Sequence, residues 1–338
     1  LNDIKISSPL VEIEKNKNSF FVNGQILNEE KIFDISEPKP VFVNLFNDLD
    51  IKKIELRSKN NFSFNINKNF KFNNFKVESA INLDQLIIDK KNLKIKPYLP
   101  SFIDKIKLEE HKIVINYNKN KFNIEGNGNV LLEDKLDNLS YKILKDNNNI
   151  LFDAKIFLKN NSLQIDFLDY KKKKNIESLI SIKGNYKKDN KLKIDFINLK
   201  EMNNEISIKG LNLNKDFKIV DIKNINFKYK NNKDIINNLN IKKDNSNFII
   251  EGDSFDASKM INAIMDNDDE NISIFEDLNS KINININKTY IDEINYINSL
   301  NGIVSFKNNK IDNLKLESIF PNQKKLNFSI KTKNNSEI

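Results

Sequence analysis

Ile282-Asn283-Ile284-Asn285-Ile286-Asn287-Lys288 sets an apolar residue at every second position with a polar one between. Successive side chains of a strand point to opposite faces, so this stretch reads as a β-strand with one oily and one wet face. The same period of two recurs along the chain. It appears in Phe62-Phe64-Ile66 followed by Phe70-Phe72, in Ile113-Ile115-Tyr117, and in Leu163-Ile165-Phe167. Further on come Leu192-Ile194-Phe196, Ile206-Ile208, Ile225-Phe227-Tyr229 and Leu326-Phe328-Ile330.

Polar clusters separate these runs: Asn16-Lys17-Asn18, Asn118-Lys119-Asn120, Asn147-Asn148-Asn149, Lys188-Asp189-Asn190, Asn231-Asn232-Lys233 and Lys307-Asn308-Asn309. With seven glycines and six prolines in 338 residues, hairpin tips fall to Asn, Asp and Lys-Asn pairs, which tolerate left-handed backbone. About ten residues of strand followed by a tip implies on the order of 25 strands. Native twist makes an open sheet beyond about 10 strands curl, split or close. The expectation is a mostly β protein, a long curled antiparallel sheet running as one body over 1–338, with Pro97 and Pro100 marking a break.

Helical periodicity is clear once. Ala257, Met260, Ile261, Ile264 and Met265 form one apolar stripe, which predicts a short amphipathic helix near 256–266. Asp256 or Ser254 suits its N-cap, and the acidic stretch Asp266 to Glu270 ends it. A weaker helical candidate covers Val41 to Leu49.

Composition narrows the function. The net charge of +8, from 55 basic and 47 acidic residues, sits on a chain dominated by Asn, Lys, Ile, Leu and Phe, with Arg57 its only arginine and no tryptophan. These residues share AT-rich codons, so the basic balance reads as a genome signature and nucleic acid is not an expected partner. No cysteine is present, which removes disulfides and thiolate chemistry. His111 is the only histidine; it excludes His-His metal sites and reads as an exposed strand-edge residue. Acidic pairs such as Glu109-Glu110 and Asp268-Asp269 read as solvated charge in a polar tip or helix end, and Lys171-Lys172-Lys173-Lys174 as a solvated tip. Phosphate-loop, nucleophile-elbow and metalloprotease motifs are lacking, so neither an enzyme nor a cofactor or metal is expected. No run of 18 apolar residues occurs, and the opening at Leu1 reads as a fragment or a processed product.

An antiparallel sheet that is wet on one face must bury the other, and each buried Ile, Leu or Phe contributes roughly 1.5–3 kcal/mol. Covering helices are too few, which leaves a second sheet, the same sheet curled on itself, or lipid acyl chains.

From Glu251 onward the chain resembles the C-terminal region of the AsmA-like family, of the YhdP/TamB type. The matching features are Gly252-x-Ser254-Phe255-Asp256-Ala257 opening a helix, an acidic spacer, and the Ile282 to Lys288 strand. Leu300-Asn301-Gly302 then leads into Ile303-Val304-Ser305-Phe306, and the match closes on Lys310-Ile311-Asp312-Asn313-Leu314-Lys315-Leu316. The likeness over 251–338 covers about a quarter of the chain. It implies a Gram-negative periplasmic protein, tethered to the inner membrane by a segment not present here. It also implies an elongated U-shaped β-groove that conducts phospholipid acyl chains between inner and outer membranes. Phospholipids, both membranes and envelope proteins would be its partners. Expected lining residues are Phe62, Phe64, Ile66, Ile113, Ile115, Leu192, Ile194, Phe196, Ile282, Ile284, Ile286, Leu326, Phe328 and Ile330. The same pattern also suits a structural or adhesive β-solenoid or sandwich, or a TamB-like factor in outer-membrane protein assembly, in which a sheet edge templates client strands.

Overall fold

A computed structural model describes residues 6–34, 50–89, 96, 98–187, 191–265 and 275–332. Strand makes up 74% and helix 3%, and the sheet is mostly antiparallel and not closed into a barrel. The chain divides into two compact units, Leu1–Ser162 with Lys174–Glu177, and Leu163–Lys173 with Ser178–Ile338. The division falls after Ser162 and not at Pro100, which sits in a turn; Pro97 and the candidate helix 41–49 lie outside the described residues.

The first unit is an antiparallel meander of β1 (Ile6–Lys15), β2 (Ser19–Asp34), β3 (Asp50–Asn67), β4 (Phe72–Asp89), β5 (Lys105–Asn118), β6 (Lys121–Leu131), β7 (Leu136–Asp146) and β8 (Asn149–Leu158). Each strand pairs with the next.

The second unit begins with a hairpin of β9 (Leu163–Ile165) and β10 (Tyr170–Lys172) around a 3-10 turn at Asp166–Leu168. Its sheet follows as β11 (Ser178–Lys187), β12 (Lys191–Glu201), β13 (Asn204–Leu213), β14 (Ile219–Asp221), β15 (Asn224–Lys230), β16 (Ile236–Asp244) and β17 (Asn247–Asp256). After α1 (Ser258–Met265) come β18 (Ser280–Tyr290), β19 (Tyr296–Lys307), β20 (Lys310–Ile319) and β21 (Lys325–Lys331). One pair departs from the expected antiparallel pattern: β17 and β18 run parallel. Parallel neighbours need a crossover longer than a hairpin, and α1 lies in it. Asp256 Oδ1 accepts the Ser258 N–H at 3.0 Å where the helix begins.

Asparagine and lysine make the tips as expected. Lys119 and Asn120 have φ of 47° and 65°, and Asn308 and Asn309 of 51° and 63°, the paired positive angles of a two-residue turn that matches strand twist. The Lys188-Asp189-Asn190 tip and the acidic stretch 266–270 lie outside the described residues. Twenty-one described strands replace the roughly 25 expected, because several outlast ten residues: β3 and β4 have 18 each. Bulges let a strand continue where the alternation changes phase, as between Ile51 and Lys53, Glu55 and Leu56, and Ser63 and Asn65.

Candidate functional site

Directly opposed residues in a ladder share a face, so the registers trace the apolar surface. In the second unit they join Ile182, Ile197, Ile208, Ile225, Ile241, Ile250 and Ile284 into one line across seven strands. Adjacent strands lie about 4.8 Å apart, so seven isoleucines extend over roughly 29 Å. The line continues through Gly302, Leu316 and Phe328.

Two rows flank it. On one side stand Leu199, Ile206, Phe227, Leu239, Gly252 and Ile286. On the other, Ile194 pairs with Leu211, and Phe248, Ile282, Val304, Leu314 and Ile330 follow. Phe255 stacks over Phe227 at 6.4 Å, and Tyr229 packs edge-on to Phe227 and to Tyr170. The Tyr229 hydroxyl donates to Leu168 O at 2.8 Å. Burial pushes the Tyr229 hydroxyl up, helped by Asp256 and Asp169. Along the other flank, Phe275 and Leu278 pack against Ile194, Leu211, Ile222 and Phe248. The Glu276 N–H donates to Ile219 O at 2.9 Å, which anchors this covering segment.

The flanking rows are therefore mostly buried, while all seven isoleucines of the middle row stay only half-buried. At the far edge Phe328 is 49% and Ile330 42% exposed. The whole chain exposes 22282 Å², against roughly 14,000 Å² for a compact monomer of its mass.

In the first unit, Phe62 shares a row with Gly24, Val77, Tyr117 and Phe122. Ring contacts run from Phe62 to Phe64 at 5.9 Å and from Phe64 to Phe75 at 6.3 Å. They continue from Phe75 to Tyr117 at 5.8 Å and from Tyr117 to Phe122 at 4.6 Å. Ile113 and Ile115 lie on the same face, opposite Ile81 and Ser79. Unlike the second unit, this face is interrupted by Ser58, Asn60 and Ser79, whose pairings place them in line with Ile81, Ile26 and Ile115. Asn60 Nδ2 is satisfied by Ile26 O at 3.3 Å and Ser58 Oγ at 2.9 Å.

The structure thus brings Phe62, Phe64, Ile66, Ile113 and Ile115 onto one face of the first unit. In the second it gathers Leu192, Ile194, Ile282, Ile284, Ile286, Leu326, Phe328 and Ile330. Phe196 separates from Ile194. It lines a mostly polar concavity of about 420 Å³ with Ile197, Asn198, Glu205, Ser207, Lys209, Asn224, Asn226 and Asn240, whereas Ile194 is buried in the apolar cluster with Leu211, Ile222 and Phe248. The cause is a register shift between Lys183 and Gly184, accompanied by Gly210 at φ 64°. Sequence alternation carried through Phe196 misses that step. It also misses Ile197, Ile208, Ile241 and Ile250, although the spacing of two in Ile206-Ile208 was a visible signal.

Three polar readings are corrected. His111 is 1% exposed and lies inside the sheet. A register shift between Glu109 and Lys112, with Glu110 at φ 53°, turns it onto the apolar face. Nε2–H donates to Asn129 O at 2.9 Å, and Nδ1 has no hydrogen-bond partner among the described residues. Burial lowers the imidazole's pKa, partly offset by the Asn129 carbonyl. Gly128 makes the space, since a Cβ there would lie 2.4 Å from His111 Cδ2. Within the lysine run, Lys172 is fully buried in β10 and only its neighbours Lys171, Lys173 and Lys174 are exposed. Glu109 and Glu110 belong to β5, not to a tip. Among the described residues no three His, Asp or Glu side chains converge as a metal cage, and no helix is long and apolar enough to cross a membrane.

These features define an open, mostly antiparallel β protein with an accessible apolar line on one face. No family model, curated protein or solved structure matches the chain.

Proposed function

We propose that the apolar face conducts lipid acyl chains, with the middle row of isoleucines as the track. The observation that carries this reading is the half-burial of Ile182, Ile197, Ile208, Ile225, Ile241, Ile250 and Ile284 between two buried rows. An acyl chain on the row gains roughly 0.8 kcal/mol for each methylene it buries. Moving one strand along exchanges one isoleucine for another, so no position holds the chain tightly. Headgroups stay in water on the open side. The place of action is the envelope that the resemblance of residues 251–338 implies, with phospholipid passing between inner and outer membranes from a periplasmic protein tethered to the inner one. No catalytic residue or cofactor enters this scheme.

The test is lipid extraction and mass spectrometry of the purified chain, followed by transfer of a fluorescent phospholipid between donor and acceptor vesicles. The protein should carry phospholipid, and Ile241→Asp and Ile284→Asp should each cut transfer at least tenfold while keeping a cooperative thermal transition. A lipid-free protein, or transfer indifferent to both substitutions in folded variants, overturns the reading.

A further inference from the structure

In the meander of the first unit the turns β1–β2, β3–β4, β5–β6 and β7–β8 fall at the same ends of the strands, so residues 15–19, 67–72, 118–121 and 146–149 form one rim. The rim sets Lys15, Lys17, Lys68, Lys71, Lys119 and Lys121 against a single acid, Asp146. Of these lysines only Lys121 is in an ion pair among the described residues, with Asp146 at 2.9 Å. At the other ends of the strands charges are matched: Lys96 meets Asp104 at 2.7 Å and Lys174 meets Asp134 at 2.8 Å.

Phenylalanines stand among these lysines. Phe20, Phe70, Phe72 and Phe75 are 42%, 85%, 68% and 45% exposed. Phe72 and Phe75 lie 5.3 and 6.3 Å from Phe64, which joins the patch to the apolar face. Phe70 leads its tip. A φ of 55° is an outlier for so bulky a residue, and Asn67 Oδ1 fixes the turn around it by accepting the Asn69 and Lys71 N–H groups at 3.0 Å each. The ring is thereby held in solvent between Lys68 and Lys71. Clustered exposed aromatics mark an interaction surface, and lysines without acids choose an anionic partner. A bilayer answers both, since phenyl rings sink into its headgroup–acyl boundary and ammonium groups meet anionic headgroups. A nucleic-acid strand would need a groove tracking its backbone, whereas these groups sit on protruding tips. We propose that this rim docks the first unit onto an anionic phospholipid membrane, with Phe70 entering the headgroup layer. Docking needs only the rim and does not rest on the acyl-chain reading.

The chain has no tryptophan, so a single one introduced reports on its own site. With vesicles of phosphatidylcholine and phosphatidylglycerol, a Phe70→Trp chain should shift its emission to the blue and become shielded from iodide. Tyr98→Trp, at an exposed position between β4 and β5 on the opposite ends of the strands, should do neither. Vesicle flotation of the wild-type chain should show binding that falls as salt rises and is at least about tenfold weaker on phosphatidylcholine alone. Replacing Lys17, Lys68, Lys71 and Lys119 together by Gln should weaken binding at least about tenfold. Phe70→Asn, which suits the left-handed backbone, should weaken it several-fold, and both variants should keep the wild-type thermal midpoint. Indifference to phosphatidylglycerol, equal shifts from the two tryptophans, full binding by the lysine variant, or tighter binding of single-stranded RNA than of vesicles overturns the proposal. A chain that docks in this way yet carries and transfers no phospholipid upholds it and refutes the acyl-chain track instead.

Discussion

Replacing Ile284 and Ile286 separately by Asp distinguishes an open face from a filled core. The two residues lie two apart on β18 and point the same way. Ile286 is 5% exposed, in the row with Leu239 and Gly252. Ile284 is half-buried between Ile250 and Gly302, a residue with no side chain to cover it. A carboxylate at 286 must leave water or protonate, a cost of several kcal/mol. At 284 it is hydrated from the open side, and the loss is the apolar burial of most of an isoleucine, about 1–2.5 kcal/mol, plus a weaker strand preference of up to about 1 kcal/mol. Ile286→Asp should therefore destabilise by at least about 2 kcal/mol more than Ile284→Asp, more than tenfold in the unfolding equilibrium. Urea unfolding at pH 7 followed by circular dichroism measures both, with stability read from the midpoint at unchanged slope. Equal losses at the two positions would refute the half-open face, since both would then sit in dry protein.

His111 gives a pH dependence with a defined sign. Its folded-state pKa is lowered from 6.5, so the unfolded chain binds more protons and stability falls as pH drops from 7 through 6.5 toward the folded value; His111→Gln should flatten that part of the urea-midpoint curve relative to wild type. Asp137 accepts the N–H groups of Lys159, Asn160 and Asn161 at 2.8, 2.9 and 3.1 Å and the Asn161 amide at 2.7 Å. Asp137→Ala strands these donors and should cost about 3 kcal/mol, with Asp137→Asn losing less because one acceptor oxygen remains; thermal unfolding of both variants compares them. Gly302→Ala would bring a Cβ to 2.2 Å from Lys315 O, so the β19–β20 ladder must shift and a loss of about 1–3 kcal/mol is expected in chemical denaturation.

The sequence by itself determined the strands, their one-sided alternation, the Asn and Lys-Asn tips and the helix α1. Those properties arise within a few residues: the period of two is steric, and left-handed turn geometry belongs to the residues that adopt it. It also carried Ile282, Ile284 and Ile286, and Leu326, Phe328 and Ile330, onto one face, because no bulge interrupts those segments. Tertiary structure decided the rest. The shift at Lys183 and Gly184 sends Phe196 to the polar face, and the shift beside Glu110 buries His111, because a bulge exists only relative to a partner strand distant in sequence. The parallel β17–β18 pair and the buried Lys172 depend in the same way on which strand lies alongside. Which of three equally apolar rows remains accessible is set by what folds over the strand ends, Phe255 and Tyr229 on one side and Phe275 and Leu278 on the other, and no local pattern encodes that coverage.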